Sequence, residues 1–259
     1  MHGVVTLAVL FVVSFSVLAQ TPEERGLAIA QEADRQDQGW EDSVADLVMI
    51  LRNEEGEEAL RRLHIKTLEN TEQGDRSLTE FETPRDLRGT ALLTYTYKNQ
   101  PDDQWLYLPA IKRVKRIAAQ NQSGPFMGSE FAFEDMSSQE VEKFTYRYLR
   151  DEPCPDLPGD CFVIQRTPVS EYSGYSHQVV WIDQAEYRID KVDYYDRKEE
   201  LLKTLRNQNF QQYLDAYWRP GKSLMVNHQT GKSTELRTES IEFRTGLSPN
   251  DFNPSRLGR

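Results

Sequence analysis

The chain has 259 residues, 38% hydrophobic and 28% charged, which is enough apolar content for a packed core and too much for wholesale disorder. Its net charge of −11, without a basic tail, excludes a protein that tracks nucleic-acid phosphates and favours a soluble, self-repelling monomer.

Residues 1–19, "MHGVVTLAVLFVVSFSVLA", carry no Asp, Glu, Lys or Arg and end in Val17-Leu18-Ala19, small enough at the positions a signal peptidase reads. They are expected to be a cleaved signal peptide, although the usual basic start is missing. The alternative is a retained anchor, for which the run is at the short limit. The mature chain, 20–259, is expected in an oxidising compartment outside the cytoplasm. "TPEERGLAIAQEADRQDQGW" then places Thr21 as N-cap, Pro22 at the first helical position and Glu24 three residues on, predicting a helix that ends near Gly39.

From Ser43 the apolar period drops to two. "VADLVMIL", "EALRRLHIKTLEN", "TALLTYTYKN" and "DQWLYLPA" read as strands separated by Gly, Pro, Asn and Asp turns. "KFTYRYLR", "CFVIQRT", "HQVVWIDQ", "YRIDKVDYYD", "ELLKTLRNQNF", "DAYWRP", "SLMVNHQ" and "TELRTESIEF" continue the pattern. The reading is a mainly β chain of about ten or eleven strands in antiparallel meander order. One further helix is expected around "SSQEVEKF". Cys154 and Cys161 bracket the turn-rich "CPDLPGDC" at a hairpin tip, and with no CxxC spacing or nearby His a structural disulfide is the expected pairing.

Several strands are apolar on both faces. In "WLYL", Trp105 and Tyr107 point one way and Leu106 and Leu108 the other. Two short helices cannot cover both faces of so large a sheet, so some apolar surface is expected to face itself or a ligand cavity.

Catalytic and metal motifs are absent: there is no HExxH, no Cys/His cluster and no G-x-S-x-G. His64, His177 and His228 read as isolated sheet residues. The "GKS" tripeptides at Gly221 and Gly231 lack the earlier Gly of a phosphate loop and read as turns. Glu130, Glu134 and Asp135 could form an acid/base pair but read more simply as solvated or ion-paired groups. Lys112, Arg113, Lys115 and Arg116 form a basic run, either a solvated strand edge or a contact for anionic headgroups or a partner.

"DQWLYLPAIKRVKRI" followed by "GPFMGSEFAFEDM", with "PRDLRGTALL" upstream and "LSPNDFNPSRL" at the end, resembles the LolA-like outer-membrane lipoprotein-sorting proteins of Gram-negative bacteria over nearly the whole mature chain. That resemblance implies a periplasmic, non-enzymatic carrier without cofactor. It implies one strongly curved antiparallel sheet, a half-open barrel wrapped over a few helices, with an apolar cavity for acyl chains of a lipid or lipoprotein. It also implies transport to the outer membrane and an inner-membrane RND-type exporter as partner. Candidate cavity residues are Trp105, Tyr107, Phe126, Met127, Phe131, Phe133 and Trp181, each of which could instead be core; Phe131 and Phe133 are expected on one side of a strand. The rival reading is an interaction or sensor module, docking through Lys112 to Arg116 without cargo.

Overall fold

The structure is a computed structural model that describes residues 20–258; the expected signal peptide lies outside the described residues. The first element, α1 (Pro22–Gln36), begins as its sequence dictates. The Thr21 hydroxyl accepts the Glu24 N–H at 3.2 Å and the Glu24 carboxylate accepts the Thr21 N–H at 2.9 Å, which satisfies two donors that the helix itself leaves free.

Thirteen strands follow. Six form one arm: β1 (Asp42–Arg52), β2 (Glu58–Leu68), β3 (Arg76–Thr83), β4 (Ala91–Tyr95), β5 (Asp103–Leu108) and β6 (Arg113–Ile117). Seven form the other: β7 (Phe144–Pro153), β8 (Asp160–Pro168), β9 (Tyr175–Asp183), β10 (Ile189–Asp196), β11 (Leu201–Tyr213), β12 (Tyr217–Asn227) and β13 (Ser233–Phe243). All belong to one antiparallel sheet in the order β6-β5-β4-β3-β2-β1-β13-β12-β11-β10-β9-β8-β7, with edges β6 and β7 unjoined. It is a curved, half-open sheet, as expected. The arms meet at the centre, where β1 pairs with β13 from Ser43–Phe243 to Arg52–Ser233.

The strand count exceeds the expectation because β3 and the short basic β6 escaped the apolar pattern. Conversely, "DAYWRP" and "SLMVNHQ" are one strand, β12, which runs through Pro220-Gly221. A Cβ at Gly221 would sit 2.8 Å from the Asn209 carbonyl, so glycine lets β11 and β12 stay in contact there. Gly221 is thus a strand residue rather than a turn, whereas Gly231 is in a turn. The expected helix at "SSQEVEKF" shrinks to a 3-10 turn over Val141–Lys143.

Irregular chain, more than helix, covers the sheet. On the outer face of the first arm, Trp105 and Tyr107 pack with Leu78, Leu93 and fully buried Phe252 of the C-terminal segment. On the outer face of the second arm, Trp181 packs with Val163 and with Cys154–Cys161, whose sulfurs are 2.02 Å apart in the expected disulfide. The inner face carries α1 and residues 118–143, which connect edge strand β6 to edge strand β7. Ile29 and Ala30 of α1 join Ile164, Val180 and Val192. Gly26 lets the helix lie on β7: a Cβ there would come within 2.7 Å of the Tyr148 backbone nitrogen.

Candidate functional site

The stretch "SGPFMGSEFAFEDM" lies within the crossing segment 118–143 on the inner face. Phe126 is fully buried against Phe81 of β3 and Phe133, with ring centroids 5.7 and 5.6 Å away. Met127 and Gly128 turn the chain with φ of +51° and +77°. The stretch is not a strand. Phe133 opens a 3-10 turn and joins Phe126 under the first arm, while Phe131 enters the cluster under the second arm. The two rings, expected side by side, are parted because the segment must plug both halves of the inner face.

Its acids fasten it. Asp135 accepts a hydrogen bond from Lys203 of β11 at 2.7 Å, from the Tyr175 hydroxyl at 2.9 Å and from the Ala132 N–H at 2.7 Å. The Glu130 carboxylate accepts from Asn227 of β12 at 2.7 Å, and its backbone N–H donates to Thr234 of β13 at 3.0 Å. Glu134 accepts from the Ser173 hydroxyl and the Gly174 N–H, and burial pushes its carboxyl up. Each acid has a structural partner, but only Asp135 is ion-paired, with Lys203; Glu130 and Glu134 accept from neutral donors.

Beside this plug the inner face opens into a cavity of about 520 Å³ between α1, Ser138–Val141 and β8 to β12. Its apolar wall comes from Ala30, Ile164, Val180, Ile182 and Phe210, with Trp40 and Trp218 near the charged rim. None of Trp105, Tyr107, Phe126, Met127, Phe131, Phe133 or Trp181 lines this cavity. Phe126, Met127, Phe131 and Phe133 are in the plug, and Trp105, Tyr107 and Trp181 are on the outer face; Tyr107 borders a smaller recess under the C-terminal segment.

Charged groups line the cavity, and nearly all are partnered. Asp34 accepts from the Gln38 amide at 2.6 Å, and Asp37 from Arg219 at 2.5 Å. Glu69 accepts from the Gly39 and Glu41 N–H groups at 2.7 and 2.8 Å. Asp75 accepts from Asn70 N–H at 2.9 Å and Ser138 at 3.0 Å; Glu186 accepts from the Trp218 indole at 3.2 Å. Glu140 is 4.0 Å from Lys98, and Arg188 is 2.9 Å from Asp183. Burial raises the carboxyls of Asp34, Asp37 and Asp75 and pushes Glu140, with Asp75 close by, up to about 7.

Arg166 of β8 is the exception. It lies on the inner face in phase with Phe162 and Ile164, between Tyr146 on β7 and Gln178 on β9. It is 6% exposed. Its Nε donates to the Gln178 side-chain oxygen at 2.6 Å, and its guanidinium rests 4.6 Å from the Phe144 ring centroid. Burial lowers its pKa. Sequence reading missed Arg166, yet a signal was present: in "CFVIQRT" a cation occupies a position in register with the buried face.

The basic run lies at an edge of the sheet. Arg113 to Arg116 are exposed on edge strand β6, and Lys112 is left-handed at φ +49°. Arg116 pairs with Asp103. Among the histidines, His64 contacts Asp46 at 2.7 Å, His177 stacks on Tyr195 at 4.3 Å, and His228 contacts Thr204 at 2.8 Å.

A protein-family model described as an uncharacterized protein matches residues 73–259. A crystal structure of a Vibrio parahaemolyticus domain assigned to outer membrane lipoprotein sorting is 53% identical, with TM-score 0.89 over 92% of this chain and 100% of that one. The chain belongs to the outer-membrane lipoprotein-sorting protein family. A second similar structure, from a DUF1329 family protein of Desulfovibrio piger, is 27% identical, with TM-score 0.86 over 92% of this chain and 99% of that chain. A LolA superfamily protein from Nitrosomonas europaea shares the sorting-family fold at 20% identity and TM-score 0.70, over 88% of this chain and 97% of that chain. No curated protein matches.

Proposed function

We propose that the protein is a periplasmic carrier that shelters an acyl chain of a lipid or lipoprotein on its way to the outer membrane. The observation that carries this reading is the cavity between α1 and the inner face of a lipoprotein-sorting fold, with its aliphatic and aromatic wall. Its volume of about 520 Å³ is within the range of small-molecule sites. Each buried methylene gains about 0.8 kcal/mol, most of which cancels against what the chain loses on leaving a membrane. Directional transfer therefore needs a receptor that binds the chain more tightly or a lid that weakens on contact. The helix α1, held mainly through β7, has the position of such a lid.

Handover places a partner, an inner-membrane RND-type exporter in this reading, at edge strand β6. That strand offers unpaired backbone groups together with Lys112, Arg113 and Lys115, which form no ion pair among the described residues. Reversing the charge of these three residues should abolish partner binding and leave bound lipid in place. Native mass spectrometry of protein purified from periplasm without detergent, followed by lipid extraction, tests the carrier. The expected result is a stoichiometric lipid or lipidated peptide. A clean apo mass that persists after incubation with membranes would overturn the carrier and leave the docking module without cargo.

A further inference from the structure

We propose that Arg166 makes the cavity selective for an anionic amphiphile, one acyl chain ending in a carboxylate or phosphate group. The inference rests on the carrier reading and adds the chemistry of the ligand's head.

The argument is an accounting of charge. A buried guanidinium is stable only with partners that replace the water it has lost. The other cations of the cavity have theirs: Lys98 faces Glu140, Arg188 faces Asp183 and Arg219 faces Asp37. The lining acids are also engaged, by amide, hydroxyl, indole or cationic donors. None of them is within ion-pair distance of Arg166. Among the described residues, Arg166 donates one hydrogen bond, from Nε to Gln178, and neither terminal nitrogen donates to any. A side chain that is 6% exposed and borders the cavity therefore presents two adjacent N–H-bearing nitrogens without acceptors.

Two further features show a built site. Gln178 fixes Nε and Phe144 supports the plane, so the fork is oriented before a ligand arrives. A planar fork with two free nitrogens matches the paired oxygens of a carboxylate or phosphate. Apolar Ile164, two residues away on the same strand face, and Val180 opposite it line the adjoining wall. A chain along Ile164 and Val180 would thus bring its anionic end to Arg166.

The test uses the mature protein and three sixteen-carbon probes that differ only at the head: hexadecanoate, hexadecyl phosphate and hexadecanol. Trp40 and Trp218 line the cavity and report occupancy by fluorescence. At least one anionic probe should bind about tenfold or more tightly than the alcohol, as expected for a charge-assisted hydrogen-bonded pair. Arg166→Met should erase that preference, with the anions binding no more tightly than the alcohol, and Arg166→Lys, which keeps the charge without the fork, should retain part of it. The tighter of the two anions names the head. Should Arg166→Met not fold, intermediate selectivity in Arg166→Lys supports the proposal, and full wild-type selectivity there counts against a role for the fork. Equal binding of all three probes by the wild type, or anion preference surviving in Arg166→Met, would overturn the proposal and leave the carrier intact. Saturable binding of inorganic phosphate alone, as tight as the amphiphiles, would also overturn it. Failure of all three probes to bind would instead remove the acyl-chain cavity itself.

Discussion

Lys203→Met offers a direct test of how the crossing segment is held. Lys203 and Asp135 form an ion pair at 2.7 Å with side chains 5% and 7% exposed. Removing one member of such a pair strands the other charge in the interior, which typically costs about 3–5 kcal/mol. Here the lower figure applies, because Asp135 keeps the Tyr175 hydroxyl and the Ala132 N–H as donors. A loss of about 3 kcal/mol lowers the melting temperature by roughly 6–12 °C in a chain of this size. Urea unfolding followed by tryptophan fluorescence gives the value, with Asp135→Leu and the double variant completing a cycle. The double variant should cost less than the sum of the singles, since it leaves no orphan charge. Lys203→Met within about 0.5 kcal/mol of wild type, or strict additivity, would refute the latch and leave retention of the segment to Phe126 and Phe131.

Other outcomes follow from the same geometry. Gly26→Val should lift α1 from β7, because its Cβ would meet backbone atoms of Arg147 and Tyr148 within 2.7–2.9 Å; faster proteolysis in residues 20–38 is the readout, and an unchanged rate refutes it. Glu140 has a folded pKa of about 7 against a reference of 4.5, so its protonated form favours folding; that stability is present below pH 4.5 and lost as pH rises through 7. The full shift corresponds to about 3 kcal/mol, which solvent at the cavity rim reduces to about 1–2. Glu140→Gln should therefore be more stable than wild type at pH 8 by that amount, with the gap closing toward pH 4.5 in denaturation curves. Replacing both Cys154 and Cys161 by serine should cost about 2–3 kcal/mol, the closure entropy of so short a loop, and a denaturation midpoint equal to wild type would contradict this.

Strand alternation was legible wherever apolar residues marked a face. Trp105 and Tyr107 do point away from Leu106 and Leu108, and the helix start at Thr21 is as its capping residues require. What covers each face was not legible. The shortage of helix was correctly seen, but much of the deficit is met by irregular chain: Phe126 and Phe131 inside, Phe252 and the disulfide loop outside. Such segments have no period to read, and their positions depend on partners far away in sequence, as Asp135 depends on Lys203. The aromatic stretch therefore drew attention as a cavity wall although it packs as a plug, while the cavity takes its wall from residues of ordinary strands. Arg166 was missed for a related reason: its meaning lies in the absence of a counter-charge, and only packing shows that.

The pairing of β1 with β13 also constrains how the chain reaches its native state. Each arm is a run of hairpins between sequence neighbours and can form from local contacts. The central seam cannot, because Ser43 must find Phe243 across almost the entire chain. Topologies dominated by such distant contacts fold slowly. During synthesis β1 emerges first and its inner edge stays unsatisfied until the last strand arrives, so the molecule spends its nascent life as two separate half-sheets with open edges at the very place that later becomes the middle.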